Sequence, residues 1–277
     1  MTGPVAAADP AGQYLELAPA KVNLALHVRR RRADGYHDIE SWFAFTELAD
    51  RLTAKPAADW ELSLTGPKAA QLGAALADNL VLRAAYAFAD AAASPLRYAL
   101  HLHKCIPVAA GLGGGSADAA AVLRLLNRLT PAPLPEAQLR DIAASIGADV
   151  PACLLSRSQI GRGVGEVLHP APAVTGLRLL LINPGVPVAT AAVFAGWDGV
   201  DGGALGADWR QGRNDLEIPA SRLQPAIGTA LDWLRRIPGA QHVRMSGSGA
   251  TCFAVFAGDV PRIPLPPGWW AAATRLL

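Results

Sequence analysis

A run of glycines and a serine stands directly before a strongly helical segment, and these residue types at this spacing could bind a phosphate. The run lies within residues 107–118 and contains Gly111, Gly113, Gly114, Gly115 and Ser116. Glycines allow positive φ angles and let the backbone approach an anion closely, while the free N–H groups of a first helical turn attract that anion. Residues 107–118 therefore predict a binding site for a phosphate ester.

Two well-known phosphate loops and a plain linker are the alternatives to this interpretation. A Walker A loop is excluded, because the sequence contains no Gly-Lys-Ser or Gly-Lys-Thr. A dinucleotide-binding fingerprint fits poorly, because Ser116 or Asp118 stands where its third glycine would be. A flexible linker would not lie between a strand-like segment, residues 100–106, and a helix. Phosphate binding remains the favoured interpretation.

Asp149 and Lys21 together have the chemistry of a phosphoryl-transfer pair. A carboxylate can accept the proton of an alcohol that attacks phosphorus, and a nearby ammonium keeps the carboxylate ionised and neutralises developing charge. Taken singly, Asp149 has a plainer interpretation as a helix N-cap, and Lys21 as a snorkelling or exposed strand residue. As a pair they indicate a kinase that needs no serine or cysteine nucleophile.

Three further features could bind a ligand, and each has a structural alternative. Ser116 could ligate Mg²⁺ or donate to a phosphate oxygen, or it could only cap its helix. Tyr36 and His37 follow a predicted hairpin turn, where their rings could meet a planar base or simply pack. The turn at residues 246–251 could close its backbone N–H groups over a phosphate or hydroxyl, or be a turn and nothing more.

The elements that must position these residues alternate between strands and helices. Apolar periodicity predicts strands at residues 14–17, 22–28, 39–48, 100–106, 177–182, 243–245 and 252–256, and helices at residues 80–91, 119–129, 136–146 and about 224–236. Gly147 is expected to end the third helix in a left-handed conformation. A polar, glycine-rich stretch from residue 156 predicts a boundary between domains at 1–158 and 159–277. This order of elements indicates an α+β fold.

Composition limits the possible partners. The chain has 277 residues, of which 51% are apolar, so it can bury a substantial core. Its formal net charge of +2 gives no electrostatic case for binding nucleic acid or an anionic membrane. The arginine run 29–32 is interpreted as a solvated strand end and turn, with a role in docking an anionic substrate as the alternative. The oligomeric state is left open.

Cysteine usage and the N-terminus indicate a cytoplasmic protein. Cys105, Cys153 and Cys252 are odd in number and lack metal-binding spacing, which argues against a disulfide framework and a zinc site. Residues 1–13 resemble a short disordered lead-in more than a signal peptide, and no apolar stretch is long enough to span a bilayer.

Three motif regions together resemble the superfamily of galactokinase, homoserine kinase, mevalonate kinase and phosphomevalonate kinase. They are residues 18–24, 107–118 and 245–251, in the same order along the chain. This resemblance implies an N-terminal domain like ribosomal protein S5 domain 2, a C-terminal ferredoxin-like domain, and an active site in the cleft between them. The proline-rich segment after Val260 departs from the pattern, because it lacks the helix expected to close the ferredoxin-like domain.

A narrower resemblance is carried by residues 32–37, 147–151, 161–166 and 214–216. It is to the kinases that use ATP and Mg²⁺ to phosphorylate the 2-hydroxyl of a substrate carrying cytidine diphosphate, in the non-mevalonate route to isoprenoids. It implies Asp149 as the base and Lys21 as its charged partner. The implied nucleotide-binding residues are Pro107, Gly111, Leu112, Gly113, Gly114, Gly115, Ser116 and Ala117, with Ser116 also a candidate metal ligand. The implied substrate-binding residues are Asn23, Tyr36, His37, Thr190, Phe194, Gly247, Ser248 and Gly249.

Two other functions remain open from sequence. The first is another small-alcohol kinase of the same superfamily, acting on homoserine or mevalonate; against it stand Tyr36, His37 and Phe194, which only a substrate bearing a nucleobase requires. The second is a nucleotide-binding module without catalysis. Against that module stands the pair of Asp149 and Lys21, which ATP binding alone would not need.

Overall fold

The computed structural model describes residues 12–73 and 78–277, which form two compact units interleaved along the chain. Unit 1 comprises the described residues of Met1–Ala20, Ala49–Val108 and Gly113–Leu155. Unit 2 comprises Lys21–Leu48, Ala109–Leu112 and Ser156–Leu277. The division after residue 158 stays a prediction, and most of the lead-in expected at residues 1–13 lies outside the described residues.

Unit 1 packs helices on a strand face built from alternating apolar residues. Two long strands, β1 (Tyr14–Arg31) and β2 (His37–Ala57), pair with each other, and each has residues in both units. Within unit 1 the end of β2 pairs antiparallel with β4 (Arg97–His103), which pairs in parallel with β3 (Glu61–Thr65). Every second residue of β4, including Leu100 and Leu102, is buried, as expected for a strand with one covered face.

Four α-helices and a 3-10 helix at Ala69–Leu72 complete the described part of unit 1, and local sequence explains the ends of the α-helices. They are α1 (Leu80–Ala91), α2 (Gly114–Leu129), α3 (Glu136–Ile146) and α4 (Val150–Leu155). The Asn79 side chain caps α1 by accepting the Val81 N–H at 2.9 Å. The predicted left-handed cap at Gly147 is wrong, because this residue has φ 175°, an extended conformation.

Unit 2 contains a short antiparallel arrangement and a separate four-stranded sheet. The start of β2 pairs with β5 (Gln159–Gly163), which pairs with β6 (Val167–Pro170). The other sheet contains β7 (Arg178–Asn183), β8 (Ala240–Met245), β9 (Cys252–Phe256) and β10 (Trp270–Arg275), in the antiparallel order β10-β7-β9-β8. Helices α5 (Thr190–Ala195), α6 (Glu217–Leu223) and α7 (Pro225–Arg235) connect β7 to β8.

The strand order of unit 2 is that of a ferredoxin-like fold. If its strands are counted along the chain from β7, the order across the sheet is fourth, first, third, second, with all neighbours antiparallel. The connection from β9 to β10, residues 257–269, contains no helix. The sheet packs on α7 through Leu180, Ile182, Ile227 and Leu231. The expected α+β class is confirmed, and the proline-rich end of the chain leads into a strand.

The structure of the described residues can be compared with the sequence predictions on membrane spans and disulfides. Among the described residues, none of the helices has the length and apolar character needed to cross a membrane. Cys105, Cys153 and Cys252 are free thiols, of which the last two are buried.

Candidate active site

The glycine-rich run forms the start of α2, as the phosphate-loop interpretation requires. Gly113 is the N-cap, with the left-handed φ of 62°, and its carbonyl accepts the Ala117 N–H at 2.8 Å. The N–H groups before Ala117 in this first turn lack intrahelical acceptors and carry the positive end of the helix dipole. Ser116 is the third helical residue and does not cap the helix. Ser116 therefore lies in the first turn of α2, together with the free backbone N–H groups.

The preceding part of the run, Ala109–Leu112, belongs to unit 2 and is held by that unit's backbone. The Lys21 N–H donates to the Leu112 carbonyl at 2.9 Å, and the Ser246 hydroxyl donates to the Gly111 carbonyl at 2.8 Å. Gly111 has φ 76°, and a Cβ there would lie 2.6 Å from the Ser246 carbonyl oxygen and 2.7 Å from that of Gly249. Only glycine fits this position, because both the conformation and the space exclude a side chain.

Asp149 stands at the entrance to the short helix α4 in unit 1. Its carbonyl accepts the Cys153 N–H at 3.1 Å, which places it at the N-cap position, and its side chain is half-buried. Arg124 of α2 donates to the Cys153 carbonyl at 2.8 Å, and Val150 is fully buried. The two helices that carry the phosphate loop and Asp149 are therefore joined by a direct hydrogen bond.

Lys21 is buried in unit 2, so its interpretation as an exposed or snorkelling strand residue is wrong. Only 4% of the residue is exposed. Its Nζ donates to the Asn23 Oδ1 at 3.3 Å and lies 4.8 Å from the centroid of the Phe43 ring. Asn23 in turn donates through Nδ2 to the Ser41 hydroxyl at 2.7 Å. A buried ammonium needs such partners, since its desolvation is costly.

The turn after β8 is fixed by hydrogen bonds to three other segments of unit 2. The Asn23 N–H donates to the Ser246 hydroxyl at 3.1 Å. Asn214 donates to the Gly247 carbonyl at 2.8 Å, and the hydroxyls of Thr190 and Ser248 lie 2.8 Å apart. These bonds bring together Asn23, Thr190, Gly247 and Ser248, four of the predicted substrate residues. Ser246, whose hydroxyl links Asn23 to Gly111, was not among the predicted site residues.

Tyr36 and His37 are neighbours at the hairpin tip between β1 and β2, but they differ in exposure. Tyr36 is 65% exposed and His37 only 7%. The His37 ring lies 5.1 Å from that of Phe194 and 5.8 Å, edge-on, from that of Trp197. Trp197 was not predicted, although it follows Phe194 by three residues, within reach of the same helical face. The predicted residues His37 and Phe194 are thus in contact, with Trp197 as a third ring.

The His37 ring is held neutral with a defined tautomer. Burial, followed by the Arg31 guanidinium, lowers the pKa of His37. Arg31 Nε lies 3.3 Å from His37 Nε2 and donates to it, so the ring proton is on Nδ1. His37 therefore offers one N–H donor beside an aromatic ring.

Three arginines of the run, Arg29, Arg30 and Arg32, are paired with carboxylates. Arg29 lies 3.0 Å from Glu40 and 2.9 Å from Asp201, and Arg30 lies 2.5 Å from Asp38. These contacts are as expected for a charged strand end, the interpretation favoured from sequence.

Sequence reasoning missed a buried charge cluster in unit 1. Lys104 Nζ lies 2.5 Å from Asp50 Oδ2 and 2.6 Å from Asp118 Oδ2. Burial raises the pKa of Asp118 to about 8, against the opposing effect of the Lys104 ammonium. We name Lys104, Asp50 and Asp118 the buried triad.

A cavity of about 440 Å³ in unit 2 lies beside α6. Its lining includes Trp197, Asn214 and Glu217, together with Arg213 and Arg244. It contains none of the predicted catalytic, nucleotide-binding or substrate-binding residues, so it does not by itself locate the active site.

Comparison with known proteins gives the class to which this fold and phosphate loop belong. The model of the GHMP kinases N terminal domain matches residues 79–157, and that of the GHMP kinases C terminal domain matches residues 202–263. The first match contains the glycine-rich start of α2 and Asp149. The chain therefore has the two domains of a GHMP kinase.

Similar proteins of known name identify a particular family within the GHMP kinases. A 4-diphosphocytidyl-2-C-methyl-D-erythritol kinase from Rhizorhabdus wittichii is 48% identical, over 97% of this chain and 96% of the relative. One from Novosphingobium aromaticivorans is 49% identical over 94% and 92%. A crystal structure of 4-(cytidine 5'-diphospho)-2C-methyl-D-erythritol kinase superimposes with a TM-score of 0.78 at 36% identity, over 95% of this chain and 99% of the other. The chain belongs to the 4-diphosphocytidyl-2-C-methyl-D-erythritol kinase family, and with it to the ATP-dependent kinases.

Proposed function

We propose that this protein transfers the γ-phosphoryl group of ATP to the 2-hydroxyl of 4-diphosphocytidyl-2-C-methyl-D-erythritol, in the non-mevalonate route to isoprenoid precursors. The observation that carries the choice of substrate is the contact of His37 with Phe194 beside the exposed Tyr36. A kinase for a small alcohol has no need of such rings, whereas a pyrimidine base stacks on them. The family membership of the chain supports the same substrate.

The base-binding role we propose for His37 follows from its tautomer. The neutral ring donates from Nδ1, which suits a carbonyl oxygen or ring nitrogen on the edge of a pyrimidine. Because the pKa of His37 is lowered, this donor pattern persists at neutral pH. Phe194 supplies the stacking surface and Tyr36 the second ring. Asn23, Thr190, Gly247, Ser248 and Gly249 are proposed to hold the rest of the substrate.

We propose direct transfer, with the substrate hydroxyl attacking the γ-phosphorus and no phosphoenzyme. Residues 107–117 hold the nucleotide through the backbone N–H groups at the start of α2. Asp149 accepts the hydroxyl proton as the bond to phosphorus forms, and Lys21 supplies positive charge that neutralises the charge developing during the transfer. The half-buried Asp149 side chain and the buried, hydrogen-bonded Lys21 ammonium support these roles.

The described residues fit a magnesium ion that is carried mainly by the nucleotide. Among them there is no group of three or more His, Cys, Asp or Glu side chains placed to hold a metal. Mg²⁺ commonly keeps several waters and binds through substrate phosphates with few protein ligands. Ser116, at the helix mouth, is the residue we propose as a ligand. When bound, the ion neutralises charge on the phosphates.

A reducing cytoplasm is the compartment we propose, which the three free thiols support.

A coupled assay of ADP release tests the function directly. The purified protein is given ATP and Mg²⁺ with 4-diphosphocytidyl-2-C-methyl-D-erythritol, and in parallel with homoserine, mevalonate and galactose. We expect turnover with the cytidyl substrate alone. Turnover with another alcohol would overturn the substrate while keeping the kinase, and the absence of turnover with all four would overturn the activity.

Phe194→Ala tests the base pocket. Stacking of a base on an aromatic ring contributes about 1–3 kcal/mol, so KM for the cytidyl substrate should rise by about tenfold or more while KM for ATP is unchanged. Steady-state kinetics with each substrate varied measures both constants. Trp233→Ala is the matched control, because it also removes a half-buried ring of unit 2, one packed 5.8 Å from Trp269 and outside the predicted site. An equal rise in KM for the control would refute the stacking role.

A further inference from the structure

The buried triad contacts the unit 1 residues on either side of the proposed phosphate loop. Lys104 is 1% exposed and follows the last residue of β4, where its backbone N–H donates to the Thr65 carbonyl at 2.8 Å. Its ammonium bonds Asp50 of β2 and Asp118 of α2. One cation therefore joins two strands of the unit 1 sheet to the helix that begins with the loop.

Asp50 fixes the chain that enters the loop. Its Oδ1 accepts the N–H groups of Cys105 at 2.5 Å and Ile106 at 2.9 Å, and the residue is completely buried. Pro107, the first residue of the proposed nucleotide-binding run, comes next. Asp50 thus uses one oxygen to hold the loop entrance and the other to hold Lys104.

Asp118 and Gly114 place the triad at the loop exit. Asp118 is the fifth residue of α2 and is buried, and its Oδ1 has no hydrogen-bond partner among the described residues. A Cβ at Gly114 would lie 3.1 Å from Lys104 Nζ and 3.1 Å from Ile106 Cγ2. The ammonium therefore lies so close to the first helical residue that a side chain there would meet it.

We propose that Lys104, Asp50 and Asp118 are positioning residues that set the distance between the loop entrance at Ile106 and the first turn of α2, and so the affinity for the nucleotide. This inference rests on the proposed nucleotide site. A role in stability alone explains the triad less well, because apolar residues of similar volume often replace buried ion pairs without loss of stability. The triad instead contacts the chain on both sides of the loop, at Cys105 and Ile106 before it and at the start of α2 after it.

Asp118→Ala tests the proposal through a change in ATP affinity. Residues that orient metal ligands typically change metal affinity by about 10–100-fold when mutated, and we take the lower end of that range for residues that orient a phosphate loop. We therefore expect Kd for ATP, measured by titration calorimetry, and KM for ATP to rise about tenfold or more, with kcat at saturating ATP within a few-fold of wild type. Asp118→Asn, which keeps an oxygen facing Lys104, should restore ATP affinity to within about threefold.

Glu16→Gln is the matched control, because it removes a carboxylate of β1 that is paired with arginines of the same helix α2. Glu16 pairs with Arg124 of α2 at 2.8 Å and also with Arg128, well beyond the first turn. Its loss should lower the thermal midpoint without changing Kd for ATP. If Asp118→Ala fails to fold, the double variant Lys104→Met with Asp118→Leu is used instead. It replaces the ion pair between the two residues with apolar side chains, and we expect the same rise in Kd for ATP.

Three outcomes would overturn the inference. They are an unchanged Kd in Asp118→Ala or in the double variant, a Kd that rises equally in Glu16→Gln, and a failure of Asp118→Asn to restore affinity. A wild-type protein that does not bind ATP would overturn the proposed function and this inference with it. Wild-type binding with unchanged variants would overturn the inference alone.

Discussion

Asp149→Asn should lower kcat by about 10²-fold or more while Kd for ATP stays within about twofold of wild type. The amide cannot accept the proton of the attacking hydroxyl, so general-base action is lost. Asparagine and aspartate are comparable N-cap residues, and the backbone bond from Cys153 to the Asp149 carbonyl is unaffected. The substitution therefore separates a catalytic role from the capping role that the sequence also allowed.

The measurement is single-turnover kinetics together with calorimetric titration of ATP. Asp141→Asn is the matched control, because it makes the same change at an exposed position of α3 in the same unit. Full activity in Asp149→Asn would remove it from the mechanism. A proportional loss of ATP affinity would instead show that Asp149 serves the nucleotide site.

Local sequence was sufficient where an element has clear ends. The helix α3 runs over Glu136–Ile146 as predicted, because Pro135 and Gly147 bound an amphipathic stretch. Strand β9, Cys252–Phe256, is also as predicted, since it is a short apolar run between turns. The start of α2 was placed five residues too late, because glycine is a poor helix former in general but is suited to a first turn that binds an anion.

Elements that depend on distant partners could not be predicted in this way. Strand β5 contains Gly161, where a Cβ would lie 2.4 Å from the Phe43 ring, so this glycine allows close contact with β2 and does not mark a loop. Strand β10 follows a proline-rich segment and is defined by its pairing with β7. Neither pairing leaves a periodic pattern in the sequence.

The same limit applies to the site. The phosphate loop was evident because its chemistry is local, in a run of glycines before a helix. The buried triad was not, because Asp50 and Lys104 are separated by 54 positions and each resembles a solvated charge on its own. Trp197 likewise could be recognised as part of the site only from its ring contact with His37.

Gly111→Ala should lower the free energy of unfolding by about 2–6 kcal/mol, the sum of two contributions. A left-handed conformation costs a residue with a Cβ about 1–3 kcal/mol. The new methyl would also lie 2.6 Å from the Ser246 carbonyl oxygen and 2.7 Å from that of Gly249, so the turn must move, and overpacking of this kind costs about 1–3 kcal/mol more. Urea unfolding monitored by fluorescence measures the total.

Gly176→Ala separates the two contributions to that loss. Gly176 has φ 73°, close to the 76° of Gly111, and a Cβ there would have no heavy atom within 4 Å. Its substitution should therefore cost only the conformational part and leave KM for ATP unchanged. Gly111→Ala should also raise KM for ATP, because Gly111 lies in the proposed nucleotide loop and its carbonyl is bonded to Ser246. Equal destabilisation by the two substitutions would show that the turn after β8 moves at little cost in free energy. Its close approach to Gly111 would then not constrain the loop.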